Sequence, residues 1–367
     1  MQEVNNRLAS LDVLRGFDMF WIMGGSSLAG SLISYLGWPC LQPIARHLEH
    51  TEWIGFTFYD LIFPLFIFIS GVTMPFSFER YLTSHQKQSL YLKVIRRAVV
   101  LILLGWFYNG LTTNLDFANA RYTSVLGHIG IAYFWAAVIV INLRSLYQAI
   151  CAAGILAVYF LLMKLVPVPG YGVGVLTPDG NFASFIDRLI VPGELLWGSG
   201  DPEGLLMTLP ASVLAIAGAL AGNLLKNREI NAYRKCFVII IAGVACLCAG
   251  LYWGMYFPLI KKLWTSSFVL YTAGWSLLLL AIFYLVVDVW GIKKVFFPLM
   301  LVGLNPLTIY ICARGIIDFK YMTDFIFGGV MRIAGTDLSP IVLGLCTLIC
   351  EIIFLYILYR KKMFIKV

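Results

Sequence analysis

Residues 49–71 read EHTEWIGFTFYDLIFPLFIFISG. From Phe56 onward the run is apolar enough to enter a bilayer, yet His50 stands just before it and Asp60 lies inside it. Ionisable groups at that depth are expensive and point to a site. The rest of the chain has the same apolar character. Of 367 residues, 60% are hydrophobic and only 13% are charged, and the mean hydropathy is +0.85. Soluble domains are nearer roughly 45–50% apolar, so an ordinary soluble protein is excluded. The apolar residues fall into ten blocks, at 12–36, 56–79, 94–111, 123–143, 146–165, 205–225, 236–257, 266–289, 296–314 and 339–359. Each is near the roughly 20 residues a spanning helix needs. These lengths predict an all-α polytopic membrane bundle of about ten transmembrane helices, a single domain over 1–367. Asp12, Arg15 and Asp18 lie within the first block, which predicts a retained helix and not a signal peptide.

The eight cysteines lie almost entirely in apolar blocks, so no disulfide framework is implied. Cys246 with Cys248 and Cys346 with Cys350 have no histidine nearby and read as small buried hydrophobes, with no metal expected. The net charge of +8 is spread over short loops, which argues against nucleic acid as a partner. With a cytoplasmic N-terminus, seventeen basic residues fall on one side (Arg7, Arg80, Lys87, Lys93, Arg96, Arg97, Arg144, Lys226, Arg228, Arg234, Lys235, Lys293, Lys294, Arg360, Lys361, Lys362 and Lys366). Nine fall on the other (Arg46, Arg121, Lys164, Arg188, Lys261, Lys262, Arg314, Lys320 and Arg332). The positive-inside rule then predicts both termini in the cytoplasm and His50 on the outer side of the membrane. Residues 166–204 are rich in Gly, Pro and turn dipeptides and predict an ordered outer cap around Phe182, Phe185, Leu195, Leu196 and Trp197. In 315–338, the run Phe325–Met331 is too short to span with certainty, leaving spanning, dipping and lying on the membrane all open.

His50 is the leading catalytic candidate, because imidazole exchanges a proton near neutral pH, as a general base must. A histidine in an interfacial loop can equally be without a role, and Asp60 changes that weighing. A carboxylate inside an apolar block needs a partner, and a nearby imidazole supplies one while its tautomer becomes fixed. Asp12 and Arg15, three apart on one helix face, read as an internal ion pair or as a fork for phosphate oxygens. Arg96 and Arg97 are either positive-inside anchors or additions to such a phosphate site. Gly24-Gly25-Ser26-Ser27 allows close helix packing or a lane for a slender pantetheine arm. Asp201, Glu203, Lys261 and Asn305 have plain structural readings as helix-start charges, an interfacial lysine and an interhelical hydrogen-bonder. Glu351, within the last block, has no assigned role.

The segment from His50 to Pro64 resembles the start of the second core helix of transmembrane N-acetyltransferases related to heparan-α-glucosaminide N-acetyltransferase. Further resemblances follow in the same order down the chain: Ser10–Gly16, Gly127–Tyr133, Asp201–Gly204, Lys261–Ser267 and Gly303–Pro306. Two positions depart from the family. His128 stands where relatives often carry Arg, and Ser26 falls where the human relative has an asparagine.

What the resemblance implies is an acyltransferase that moves acetyl from cytoplasmic acetyl-CoA to the amine of a glucosamine-type sugar or glycan at the outer face. His50 would be its catalytic base or acetylated nucleophile, oriented by Asp60. Arg15, Asp12, Ser26, His128, Arg96 and Arg97 would serve acetyl-CoA, and Trp53, Asp201, Glu203, Lys261 and Asn305 the acceptor. The lipid bilayer is the expected partner, and assembly as a homodimer is left open. Two alternatives stand beside this reading. One is an amino-sugar transporter using Asp60, Asp18 and Glu351; the other is an O-acetyltransferase of a surface polysaccharide.

Overall fold

The computed structural model describes residues 8–111 and 116–364; Arg7 and Lys366, counted in the charge asymmetry, lie outside them. Among these residues the chain is helical almost throughout. In order the helices are α1 (Ala9–Phe20), α2 (Ser26–Leu36), α3 (Gln42–His47), α4 (Phe58–Val72), α5 (Met74–Thr83), α6 (Lys87–Tyr108), α7 (Val125–Asn142) and α8 (Ser145–Leu165). After the paired strands β1 (Pro167–Val168) and β2 (Gly172–Val173) come α9 (Phe182–Ile190), α10 (Thr208–Lys226), α11 (Ala232–Gly254), α12 (Ser266–Phe283), α13 (Phe297–Leu304), α14 (Pro306–Ile311) and α15 (Phe319–Arg360). Eight helical stretches are long and apolar enough to cross a membrane, including Ala9–Leu36, Phe58–Thr83 and Phe319–Arg360.

Two of the ten sequence blocks differ from that pattern for physical reasons. Block 94–111 forms α6 as expected, but its first half carries Lys87, Lys93, Arg96 and Arg97. Block 296–314 is broken: Pro306 opens α14 with Asn305 non-helical between α13 and α14, as a proline after a helix requires. Residues 319–338, left open by sequence, are helical as part of α15, which bends at Gly335 (φ 74°) and contains Pro340. At about 1.5 Å per residue its 42 residues are about twice as long as a bilayer core of about 30 Å.

The described residues form two compact units. The first contains residues 8–52, 56–62 and 279–364. In it α1 packs against α13 through glycines: a Cβ on Gly16 would lie 1.7 Å from the Leu299 carbonyl oxygen, and one on Gly303 1.7 Å from that of Asp12. Only hydrogen fits there, and the close approach is how membrane helices gain contact without a hydrophobic drive. The first N–H groups of α1, orphaned as at every helix start, donate to Asp288 from Ala9 (3.1 Å) and Ser10 (3.2 Å).

The second unit contains residues 53–55, 63–111 and 116–278. Here α4 meets α10 in the same way, Gly71 against the Ala215 carbonyl and Gly218 against that of Phe68. Phe68, Phe257, Phe268, Tyr159 and Trp264 fill its core. The expected ordered cap is present in 166–204: the β1–β2 pair, then α9 capped by Asn181, whose side chain accepts from Ser184 N at 2.8 Å.

Candidate functional site

In the first unit, α4 starts with Thr57-Phe58-Tyr59-Asp60, a capping box in which the acid reaches back to the N–H of the threonine. Asp60 is fully buried. Its Oδ2 accepts from Thr51 N (3.3 Å), Thr51 Oγ1 (2.8 Å) and Thr57 N (3.2 Å). Thr57 Oγ1 sits 3.0 Å from Oδ2 and 2.6 Å from the Glu49 carbonyl, so its single proton serves one of them at a time. Oδ1 lies 2.8 Å from Nδ1 of His50. An acceptor-only carboxylate fixes the tautomer: Nδ1 carries the proton, and Nε2 the basic lone pair. The imidazole, half exposed at 51%, rests on Tyr59 with ring centroids 4.7 Å apart. A buried carboxylate, an oriented imidazole and access from solvent are what a general base or nucleophile needs. The pairing inferred from sequence is therefore present, although Thr51 and Thr57 were not foreseen.

Arg15 Nη1 donates to Asp12 Oδ1 (3.1 Å) and to the Gly303 carbonyl (3.2 Å), the internal ion pair that spacing allowed. Ser26 Oγ donates to the Trp21 carbonyl at 3.2 Å, next to a π-helical turn, Trp21–Gly25, where Gly24 takes φ 144°. Asn305 Nδ2 donates to the Met363 carbonyl (3.1 Å), two residues from Gly303 and in the same unit as Arg15. The reason is the break between α13 and α14, which turns its amide toward the C-terminal end of α15.

In the second unit, Asp201 and Glu203 meet through Arg121. Its Nε and Nη2 grip Asp201 at 2.6 and 2.7 Å, and Nη2 also reaches Glu203. Thr123 Oγ1 (2.6 Å) and Leu196 N (3.0 Å) complete the shell of Asp201. Burial pushes Asp201 upward, but the Arg121 and Thr123 hydrogen bonds outweigh it and hold the carboxyl below its usual range. Burial raises Glu203 to about 8, with the Asp201 charge adding to the rise and Arg121 opposing it. Burial likewise raises Asp187 to about 7, while its bond from Leu205 N opposes.

The turn at 201–204 lies over an aromatic stack. Trp264 Nε1 donates to the Pro202 carbonyl (3.1 Å), and its ring stacks on His128 at 4.9 Å with Phe63 edge-on to both. His128 is 1% exposed, and neither ring nitrogen has a hydrogen-bond partner among the described residues. Trp264 takes φ 48°, an outlier for a bulky side chain and of the kind that clusters at functional sites. Beside the short turn Lys261–Leu263, the ammonium of Lys262 lies 5.7 Å from the Trp53 ring and 5.3 Å from the Trp197 ring. Trp53 is fixed by its Nε1 donating to the Leu176 carbonyl at 2.9 Å. Lys261, the sequence candidate, sits next to Lys262 and is half-buried. Arg97 covers the Tyr133 ring at 4.2 Å and Arg96 is exposed. Among the described residues, no group of three or more His, Cys, Asp or Glu is arranged to hold a metal ion.

Comparison with known proteins gives two results. The domain of unknown function DUF5009 matches residues 7–115. Heparan-alpha-glucosaminide N-acetyltransferase from Homo sapiens is 25% identical across 98% of this chain and 60% of its own length. The Mus musculus enzyme of the same name is 24% identical across 99% of this chain and 61% of its own. The chain thus spans about three fifths of the length of the relatives it matches. The agreement runs along nearly the whole chain, so this helical membrane protein is similar throughout its length to the heparan-alpha-glucosaminide N-acetyltransferases of both organisms.

Proposed function

We propose that the protein is a membrane-bound acetyltransferase that carries the acetyl group of cytoplasmic acetyl-CoA to the amine of a glucosamine-type sugar on the outer face. The observation that carries this reading is the His50–Asp60 pair: an exposed imidazole held at 2.8 Å by a buried, hydrogen-bonded carboxylate. His50 Nε2 removes a proton from the acceptor amine as it attacks the thioester carbonyl, or itself attacks and passes the acetyl on. In either case the C–S bond breaks, the sulfur leaves as CoA thiolate, and Asp60 stabilises the imidazolium that forms. Arg15 is the guanidinium group assigned to the phosphates of acetyl-CoA. Trp53, Trp197 and Lys262 offer aromatic faces and a cation of the kind that bind a sugar ring. The names of the matched relatives support the acetyl transfer and the amino-sugar acceptor.

The test is CoA release by purified protein with acetyl-CoA and glucosamine, across pH. His50→Ala is expected to lower turnover on the order of 10²–10⁴-fold while leaving acetyl-CoA binding in place. Turnover in His50→Ala equal to wild type removes His50 from the chemistry. Counterflow of intact sugar without CoA release would favour a transporter.

A further inference from the structure

The first helix carries Asp12, Arg15, Asp18 and Trp21 at three-residue intervals, so each is the neighbour of the next one turn along. Asp12 and Arg15 satisfy each other. Asp18, one turn on, is fully buried, and neither of its oxygens has a hydrogen-bond partner among the described residues. A second such acid comes from another helix. Glu351 of α15 is 2% exposed, and its Oε2 is likewise without a partner among those residues.

The register of α15 against the first helices places the two acids at one level. A Cβ on Gly344 would meet Leu28 at 3.4 Å, and one on Gly24 would meet Leu348 at 3.9 Å. The helices therefore run antiparallel, and carrying the pairing onward sets Glu351 opposite Trp21. Trp21 is one turn from Asp18 and lies in the π-helical turn against which α15 packs. Thr308 of α14, which packs on the same turn, is 6% exposed and its Oγ1 also has no partner among the described residues. All of these belong to the first unit, and both acids lie in helices apolar enough to span a membrane.

An ionised carboxylate with no donor in such surroundings is costly, whereas its proton-bearing form is accommodated. Few other ionisable groups bear on the pair. Arg15 is the cation on the Asp18 face, next to Asp12, and between Asp18 and Tyr35 the chain has no ionisable side chain. The neighbouring elements add Tyr310 of α14, Cys312 just after it, Cys346 and Cys350 of α15, and Asp288, which accepts from the start of α1. A π-turn inserts a residue into the helical ladder and is frequent at functional sites.

We propose that Asp18 and Glu351 form a proton-carrying pair through which the first unit moves H⁺ along its first helix, between the Asp12–Arg15 pair and the π-helical turn. Transfer within the pair breaks one carboxyl O–H bond as it forms the other, and each proton taken up at one end is matched by one released at the other, so no net charge accumulates on the pair. The pair shares no residue with His50–Asp60, although Phe58 at the start of α4 packs on Trp21 with ring centroids 5.0 Å apart, and the proposal does not depend on acetyl transfer being the activity.

The test uses the full chain in liposomes with dicyclohexylcarbodiimide, an apolar reagent that adds to protonated carboxyls. Adducts mapped by mass spectrometry are expected on the peptides holding Asp18 and Glu351 at about pH 6, a range where exposed carboxylates are ionised. Each adduct should be lost in the corresponding carboxamide variant, Asp18→Asn or Glu351→Gln. Liposomes loaded with a pH-sensitive dye and driven by a K⁺ diffusion potential should take up protons with wild-type protein. Uptake should fall to the protein-free level in whichever variants elute as a single species. The wild-type labelling needs no variant, so misfolding of one does not shield the idea. Absence of adducts on both peptides overturns the proposal, as does proton uptake unchanged in both variants. Protection from labelling by Na⁺ at constant pH also overturns it and makes the pair a metal-cation site.

Discussion

Asp60 shows how much of a site can rest on one carboxylate. Charged hydrogen bonds contribute roughly 1.5–3 kcal/mol each, and Asp60 accepts from Thr51, Thr57 and His50 at once. Asp201 is similar, with a bidentate Arg121 and Thr123. Glu203 and Asp187 behave oppositely, and their pH dependence follows. Raised acids keep a proton in the folded state that the unfolded chain has already lost, so stability falls as pH rises from the unfolded value to the folded one. For Glu203 that window runs up to about 8 and for Asp187 up to about 7. The thermal midpoint in detergent, followed by tryptophan fluorescence, is therefore expected to decrease from about pH 5 to about pH 8. Glu203→Gln should flatten that slope. A midpoint that rises over this interval would contradict the assignment.

At the scale of elements, what holds helices together here is closeness. Gly16 and Gly303 occupy places where a Cβ would sit 1.7 Å from a backbone oxygen of the facing helix. Backbone cannot yield as a flexible side chain can, so Gly16→Ala is expected to destabilise by roughly 1–3 kcal/mol or more. Gly30 of α2 meets nothing within 4 Å, and Gly30→Ala should be neutral or slightly stabilising because alanine is the better helix former. Thermal melts of the two variants give the comparison, and equal effects would show that the α1–α13 contact is looser than described. The break at Asn305-Pro306 and the bend at Gly335 are element-level events too. The break at Pro306 was not legible, since 296–314 reads as one span of suitable length. The helix before the bend was not legible either, because Gly328 and Gly329 speak against it locally and neighbouring turns carry it through them, whereas Gly335 does interrupt the helical dihedrals.

For the whole molecule, charge asymmetry leads to the expectation that both termini are cytoplasmic and the ordered 166–204 region outside. Asp179 is exposed in that region, so Asp179→Cys, in a background lacking exposed Cys40 and Cys248, should react with an impermeant maleimide in intact cells. Glu229→Cys, in the exposed turn between α10 and α11, should react only after permeabilisation. The reverse pattern would invert the topology. Hydropathy alone determined that this is a helical membrane protein, and it located most of the helices, because the cost of burying polar backbone and side chains in lipid is summed locally along the chain. The His50–Asp60 pair was also legible, since ten residues separate its members and the apolar block left the acid in need of a partner. Only the tertiary structure decided that Arg121 serves Asp201, 80 residues away, that Asp288 caps a helix 279 residues before it, and that Asn305 belongs beside the Arg15 end of its unit. Such pairings depend on which helix faces meet, and that is set by close packing between distant segments, which local composition does not encode.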